Sequence, residues 1–217
     1  MSISVLGLCA LLSVAAASAS SPADELSDLA VPQLQARLAT SRGVERGLVH
    51  LYLAGAGSPS GASADSAFHV LDSLFAAQPI PLHAAWLGTA EALMARQSQG
   101  NGMQASQWVR RSIAHLDSAV SSNPKDPVVR AMRLGAFANF PSLFEVDDRL
   151  KEDDAFLRAA MPMERQDASV LMALASAAKR AGSLSVAQAL WKQVMSKSDA
   201  SEKWKQRAQR FLTTDER

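Results

Sequence analysis

Cysteine is almost missing from this chain: one residue in 217, Cys9, and it lies in an apolar run near the N-terminus. A single thiol excludes an internal disulfide, and loss of that segment would also remove any thiolate nucleophile or Cys-ligated metal. Aromatic residues make up only 6% of the sequence, with one tyrosine, and β-branched residues are few beside abundant Ala and Leu. That balance argues against sheets and for an all-α fold. Neither charge dominates, since 22 basic and 21 acidic residues leave a formal charge of +1. No strong attraction to nucleic acid follows from such a sum. Lysine is missing altogether before Lys125, whereas Lys179 to Arg210 is rich in lysine and arginine. This distribution reads as a solvated outer face on the last helices, with weak contact to an anionic membrane surface as a lesser expectation.

Catalytic motifs are missing too. The four histidines, His50, His69, His83 and His115, form no His-x-x-x-His or Glu-x-x-His pair, so they are expected at the surface or the edge of the core. No serine lies in Gly-x-Ser-x-Gly or Ser-x-x-Lys, and Gly55-Ala56-Gly57 and Gly100-Asn101-Gly102 lack the Gly-Lys-Ser/Thr of a phosphate loop. The acidic run Glu145 to Asp154 has no central glycine and is interleaved with Arg149 and Lys151, which points to solvated helix faces and not to a cation loop. These absences predict a non-enzymatic protein with no catalytic, cofactor-binding or metal-binding residues and no cofactor.

The N-terminus does carry a signal. Val5 to Ala17 is uncharged and apolar, and Ala17-Ser18-Ala19 has the small-x-small form of a leader-peptidase site. The run is too short to span a bilayer core of about 30 Å. Residues 1–19 are therefore expected to be a signal peptide, cleaved near Ala19, leaving a periplasmic or secreted protein. Leu8 before Cys9 is not small, which argues against lipidation.

Helical periodicity covers most of the remainder. Residues 20–63 read as short N-terminal helices, one starting at Pro32 and one over Val44 to Ala54, followed by a Gly/Ser/Pro/Ala loop from Gly55 to Ser63. Ala64 to Ala77 is a helix burying Phe68, Leu71, Leu74 and Phe75. Beyond Pro79 and Pro81 a second carries Trp86, Leu87 and Leu93. Gln104 to Ser121 follows with Trp108, Val109, Ile113 and Leu116, and Trp86 and Trp108 are expected to anchor this helix pair. Asp126-Pro127 opens the next helix, with Arg130 and Arg133 placed off its inward face. Ser142-x-x-Glu145 has capping-box spacing, and Ala155 to Met161 makes one more short helical piece. Asp199 to Glu202 precedes a final amphipathic helix with Trp204, Ala208, Phe211 and Leu212.

Asp167 to Lys197 is the most complete unit. Leu171, Leu174, Ala175 and Ala178 form one stripe, Ala187, Trp191 and Val194 another, and Gly182-Ser183 falls between as turn and N-cap. This order of large and small residues resembles a tetratricopeptide (TPR) repeat. The positions of Ala175, Ala178 and Asp199 depart from that pattern, where the family has a glycine, a large aromatic and a proline. A second, stretched copy runs from Leu87-Gly88 through Ser112, Leu116, Ala119 and Pro124. The resemblance implies antiparallel helical hairpins stacked as a short, irregular TPR-like solenoid over residues 64–217, closed by a C-terminal capping helix. It also implies a scaffold that binds another envelope protein or peptide on the concave side, lined by the first helix of each pair. On that basis Met172, Lys179 and Arg180 are the expected partner contacts, an apolar group beside two cations suited to an acidic partner. The competing expectation is a small-ligand or lipid carrier with a cavity between helices near Trp86 and Trp108.

Overall fold

The computed structural model describes residues 26, 28–56, 62–98 and 100–214. The expected leader with Cys9 and Ala19 lies outside the described residues, as does the middle of the loop after Gly55. Among the described residues the chain is all-α, with no strand. The helices in order are α1 (Val31–Leu38), α2 (Gly43–Gly55), α3 (Ala62–Ala77), α4 (Pro81–Gln97) and α5 (Gly102–Ser122). They continue with α6 (Pro127–Phe137), α7 (Asp147–Ala160), α8 (Ala168–Arg180), α9 (Leu184–Ser196) and α10 (Glu202–Thr214).

Local chemistry sets several ends. Pro81 and Pro127 sit in first turns, where a missing N–H costs no helix bond. Asp126 accepts from the Val128 N–H at 2.8 Å, the cap anticipated from its sequence. Gly182 has φ +77° in the turn between α8 and α9, a conformation that costs a side-chain-bearing residue about 1–2 kcal/mol. Ser183 stands at the expected N-cap position but makes no side-chain capping bond.

Each helix packs mainly on its neighbours and next-neighbours in sequence, α4 with α5 most extensively, then α2 with α3 and α8 with α9. Helices α2, α4, α6 and α8 form the interior: α6 is buried from Val129 to Phe137 without a break, and α8 from Ala168 to Ala175. By contrast α5 buries a stripe, Val109, Ser112, Leu116, Ala119 and Val120, and α9 buries Ala187, Leu190, Trp191 and Val194. That division is the amphipathic pattern of an outer layer covering an inner one. Trp191 of α9 stacks on Phe211 of α10 with ring centres 5.0 Å apart and planes 6° from parallel. The two ends of the helix series also meet, since Lys203 Nζ of α10 lies 5.3 Å from the centre of the Tyr52 ring of α2.

The region between α6 and α8 differs from its sequence pattern. The mixed-charge run joins the short piece after it in one helix, α7. Ser142 opens a 3₁₀ turn with no side-chain cap, and Glu145 ends that turn at φ 51°, so the expected capping box does not form. Val146, fully buried, starts the helix instead.

Candidate functional site: the cleft beside α7

A cleft of about 810 Å³ opens between α7 and the α8–α9 hairpin, where α7 and α8 touch only lightly. One wall is charged. Asp147, Lys151, Asp154 and Arg158 line it, and their spacing of four, three and four residues keeps all of them on one stripe of α7. The other wall is small and apolar: Ala177, Ala178, Ala181 and Val186. Alanines here leave the helix backbone open to close approach by whatever enters.

Arg180 joins the two walls. Its Nε donates to Asp147 Oδ1 at 2.8 Å, and its Nη1 donates to the carbonyl oxygens of Phe137 and Phe140. Nη2 is buried without a hydrogen-bond partner, so its two N–H groups are unused. Within α7, Arg158 holds Asp154 through two bonds of 2.7 and 3.0 Å. Val186 in the lining is 41% exposed, and Leu143 and Leu184, next in sequence to the lining residues Ser142 and Ser183, are 62% and 38% exposed. Apolar groups standing beside a laddered charge stripe make a surface suited to an amphipathic chain.

Behind the charged wall, α7 is clamped to α6 by buried ions. Asp153 is fully buried and takes Arg133 Nε at 2.7 Å, Arg133 Nη2 at 2.8 Å and Arg130 Nη1 at 2.8 Å. Arg133 also reaches Asp117 of α5 at 2.9 Å, and both arginines bond Glu152 at the surface. Arg130's hydrogen bond holds Glu152 below the usual carboxylate range. Burial pushes Asp153 up against the pull of Arg133 and Arg130, whereas for Arg133 the two aspartates outweigh burial and hold it above its ordinary value. The expectation that this acidic run is wholly solvated, with Arg130 and Arg133 off the inward face, is therefore corrected. Facing carboxylate and guanidinium on adjacent helices make these positions interior.

The expected partner contacts separate. Met172 is 1% exposed and cannot meet a partner, because α8 is enclosed on nearly every side; this corrects its expected place on an open concave face. Lys179 is exposed and lies 5.7 Å from the Phe211 ring centre and 6.0 Å from that of Trp191, outside the cleft lining. Arg180 alone of the three lines the cleft.

Trp86 stacks on His83, and Trp108 meets Phe68 edge-on at 4.9 Å. At Gly88 an added Cβ would come within 2.8 Å of Leu116 Cγ, so the two helices are in close contact. Glu91, buried in this interface, takes Arg111 at 2.8 Å and His115 at 2.7 Å. His83 is buried, with Nδ1 2.9 Å from the Gln78 carbonyl oxygen. Among the described residues, no three His, Cys, Asp or Glu side chains are grouped to hold a metal ion, and no helix is long and apolar enough to cross a membrane. No family model matches the chain, and neither does any curated protein or solved structure.

Proposed function

We propose that the chain is a non-enzymatic helical-repeat scaffold of TPR-like build, exported from the cytoplasm, that holds a polypeptide segment in the cleft beside α7. One observation carries this reading: a cleft with a charged stripe on one wall and, opposite, an alanine-rich apolar wall that includes the exposed Val186. The repeat reading is supported by helices that pack in sequence order, by alternation of enclosed and amphipathic helices, and by α10 covering α9. Export rests on the leader sequence, Val5 to Ala19.

Filling the cleft tests the reading. Ala181 is exposed and lines it, so Ala181→Trp blocks entry without entering the core. Capture of the bound chain is lost while helix content by circular dichroism stays unchanged. Full capture by the folded variant would move the site elsewhere.

A small-ligand carrier is the second reading, favoured by a volume within the usual range of ligand pockets, roughly 300–1,000 Å³. It predicts a tightly held small molecule, released on denaturation and visible by mass spectrometry. The charged lining favours a chain with its own charges over a lipid tail.

A further inference from the structure

The charged stripe on α7 has the same spacing in both directions and opposite signs. Asp147, Lys151, Asp154 and Arg158 alternate in sign, at intervals of four, three and four residues. Turned end over end, the helix brings Arg158 level with Asp147, and Lys151 level with Asp154. A two-fold axis passing between residues 152 and 153 would set two copies of α7 antiparallel, with four oppositely charged pairs facing one another. A two-fold interface requires this self-complementarity, the same patch on both subunits. A parallel arrangement would set each charge against its own kind, so the pattern also fixes direction. The ladder is about 16 Å long at the α-helical rise.

None of the four side chains is consumed by the core. Asp147 is 55% exposed, Lys151 78%, Asp154 30% and Arg158 36%. Their intramolecular pairs, Arg180–Asp147, Lys151–Asp148 and Arg158–Asp154, leave each ion with an open side on which a further partner can sit. The buried ions of the network, Asp153, Arg130 and Arg133, are on the inward side of α7 and hold the stripe rigidly in place. Charge alone gives partner choice and register more than affinity. The apolar wall facing the stripe, with Val186 41% exposed and Ala181 exposed, supplies surface that a second copy removes from water.

Resting on the reading of the cleft as a polypeptide-binding surface, we propose that its occupant is a second copy of this chain, with α7 packed antiparallel against α7. Two-fold symmetry means that reversing one charge creates two repulsive contacts, while reversing both members of the central pair restores both. Mixed single variants are the sharper control: Lys151→Glu and Asp154→Lys each oppose themselves, yet every central pair between one and the other is attractive.

Sedimentation velocity over a concentration series, with the two single variants, their equimolar mixture and the double variant K151E/D154K, tests the proposal. The protein is expected to dimerise. Each single variant is expected to dissociate about tenfold more readily, or more, and both the mixture and the double variant recover dimer. Lys151 is largely exposed, so folding of K151E is unaffected, and circular dichroism checks this. A protein that stays monomeric up to about 100 µM, or a dimer indifferent to both reversals, would overturn the proposal. If the monomer result is joined by capture of a different protein through the cleft, the scaffold reading stands and the second copy alone is refuted.

Discussion

Arg180 of α8 donates to Asp147 of α7 across 2.8 Å, and it is the ion pair that ties the two walls of the cleft together. The same guanidinium serves the carbonyl oxygens of Phe137 and Phe140, so the two partners of this pair differ in what they hold. Arg180→Ala strands half-buried acceptors and is expected to cost about 1–3 kcal/mol. Asp147→Ala removes only a partly exposed ion and is expected to cost less than about 1 kcal/mol. Urea melts of the two single variants check the difference.

The ion cluster joining α6 to α7 sets a stronger expectation. Asp153→Ala leaves Arg130 and Arg133 buried beside each other with Glu152, Asp117 and the Pro124 carbonyl oxygen to answer them, at a cost of about 3–5 kcal/mol. Replacing Asp153, Arg130 and Arg133 together by apolar residues of similar volume is expected to be far milder than the single change. A triple variant less stable than D153A in denaturant unfolding contradicts this account.

Close packing at Gly88 gives a third test. A methyl group there meets Leu116 Cγ at 2.8 Å and the backbone oxygen of Ser112 at 3.2 Å, and the backbone cannot yield cheaply. Gly88→Ala is expected to destabilise by about 1–3 kcal/mol despite its gain in helix propensity. Thermal melting reads this directly, and a neutral G88A would mean that α4 and α5 are not in such close contact.

His50 provides a pH dependence with a definite sign. Burial, reinforced by the nearby Arg46 charge, holds its imidazole below 6.5. The unfolded chain therefore takes up this proton first as pH falls, and stability rises with pH wherever the unfolded state binds more protons. His50's contribution is present above 6.5 and is lost as pH falls below that value through the lowered one. His50→Asn is expected to flatten the fall in melting temperature on the acid side of neutrality. An unchanged slope would remove His50 as its source.

Much of the fold was legible because helix periods and punctuation are local. Pro81, Asp126-Pro127 and Gly182 act within a few residues of themselves, and each stands where its chemistry indicates. What was not legible depends on partners far along the chain. Nothing near Asp153 in sequence indicates that Arg130 and Arg133 enclose it, and Glu91 gives no sign of Arg111 and His115. Met172 was misplaced for a related reason: an open concave face is a property of the whole stack, and the inner helices here are enclosed. Arg180 lines the cleft with a side chain only 14% exposed, held there by Asp147 and by the carbonyl oxygens of Phe137 and Phe140, partners that its own helix does not indicate. The wall opposite, α7, looked like a solvated charge run, since the stripe facing the cleft and the ions facing the core alternate on one helix.

Site-specific photo-crosslinking in living cells tests the central claim most directly. A photoreactive residue at Val186 sits in the cleft lining, whereas one at Met103 of α5, 77% exposed, reports an ordinary surface outside that lining. The account predicts a discrete polypeptide adduct from position 186, either a second copy of the chain or one other protein, and none from position 103. Equal adducts from both positions, or no polypeptide adduct from 186, would contradict it.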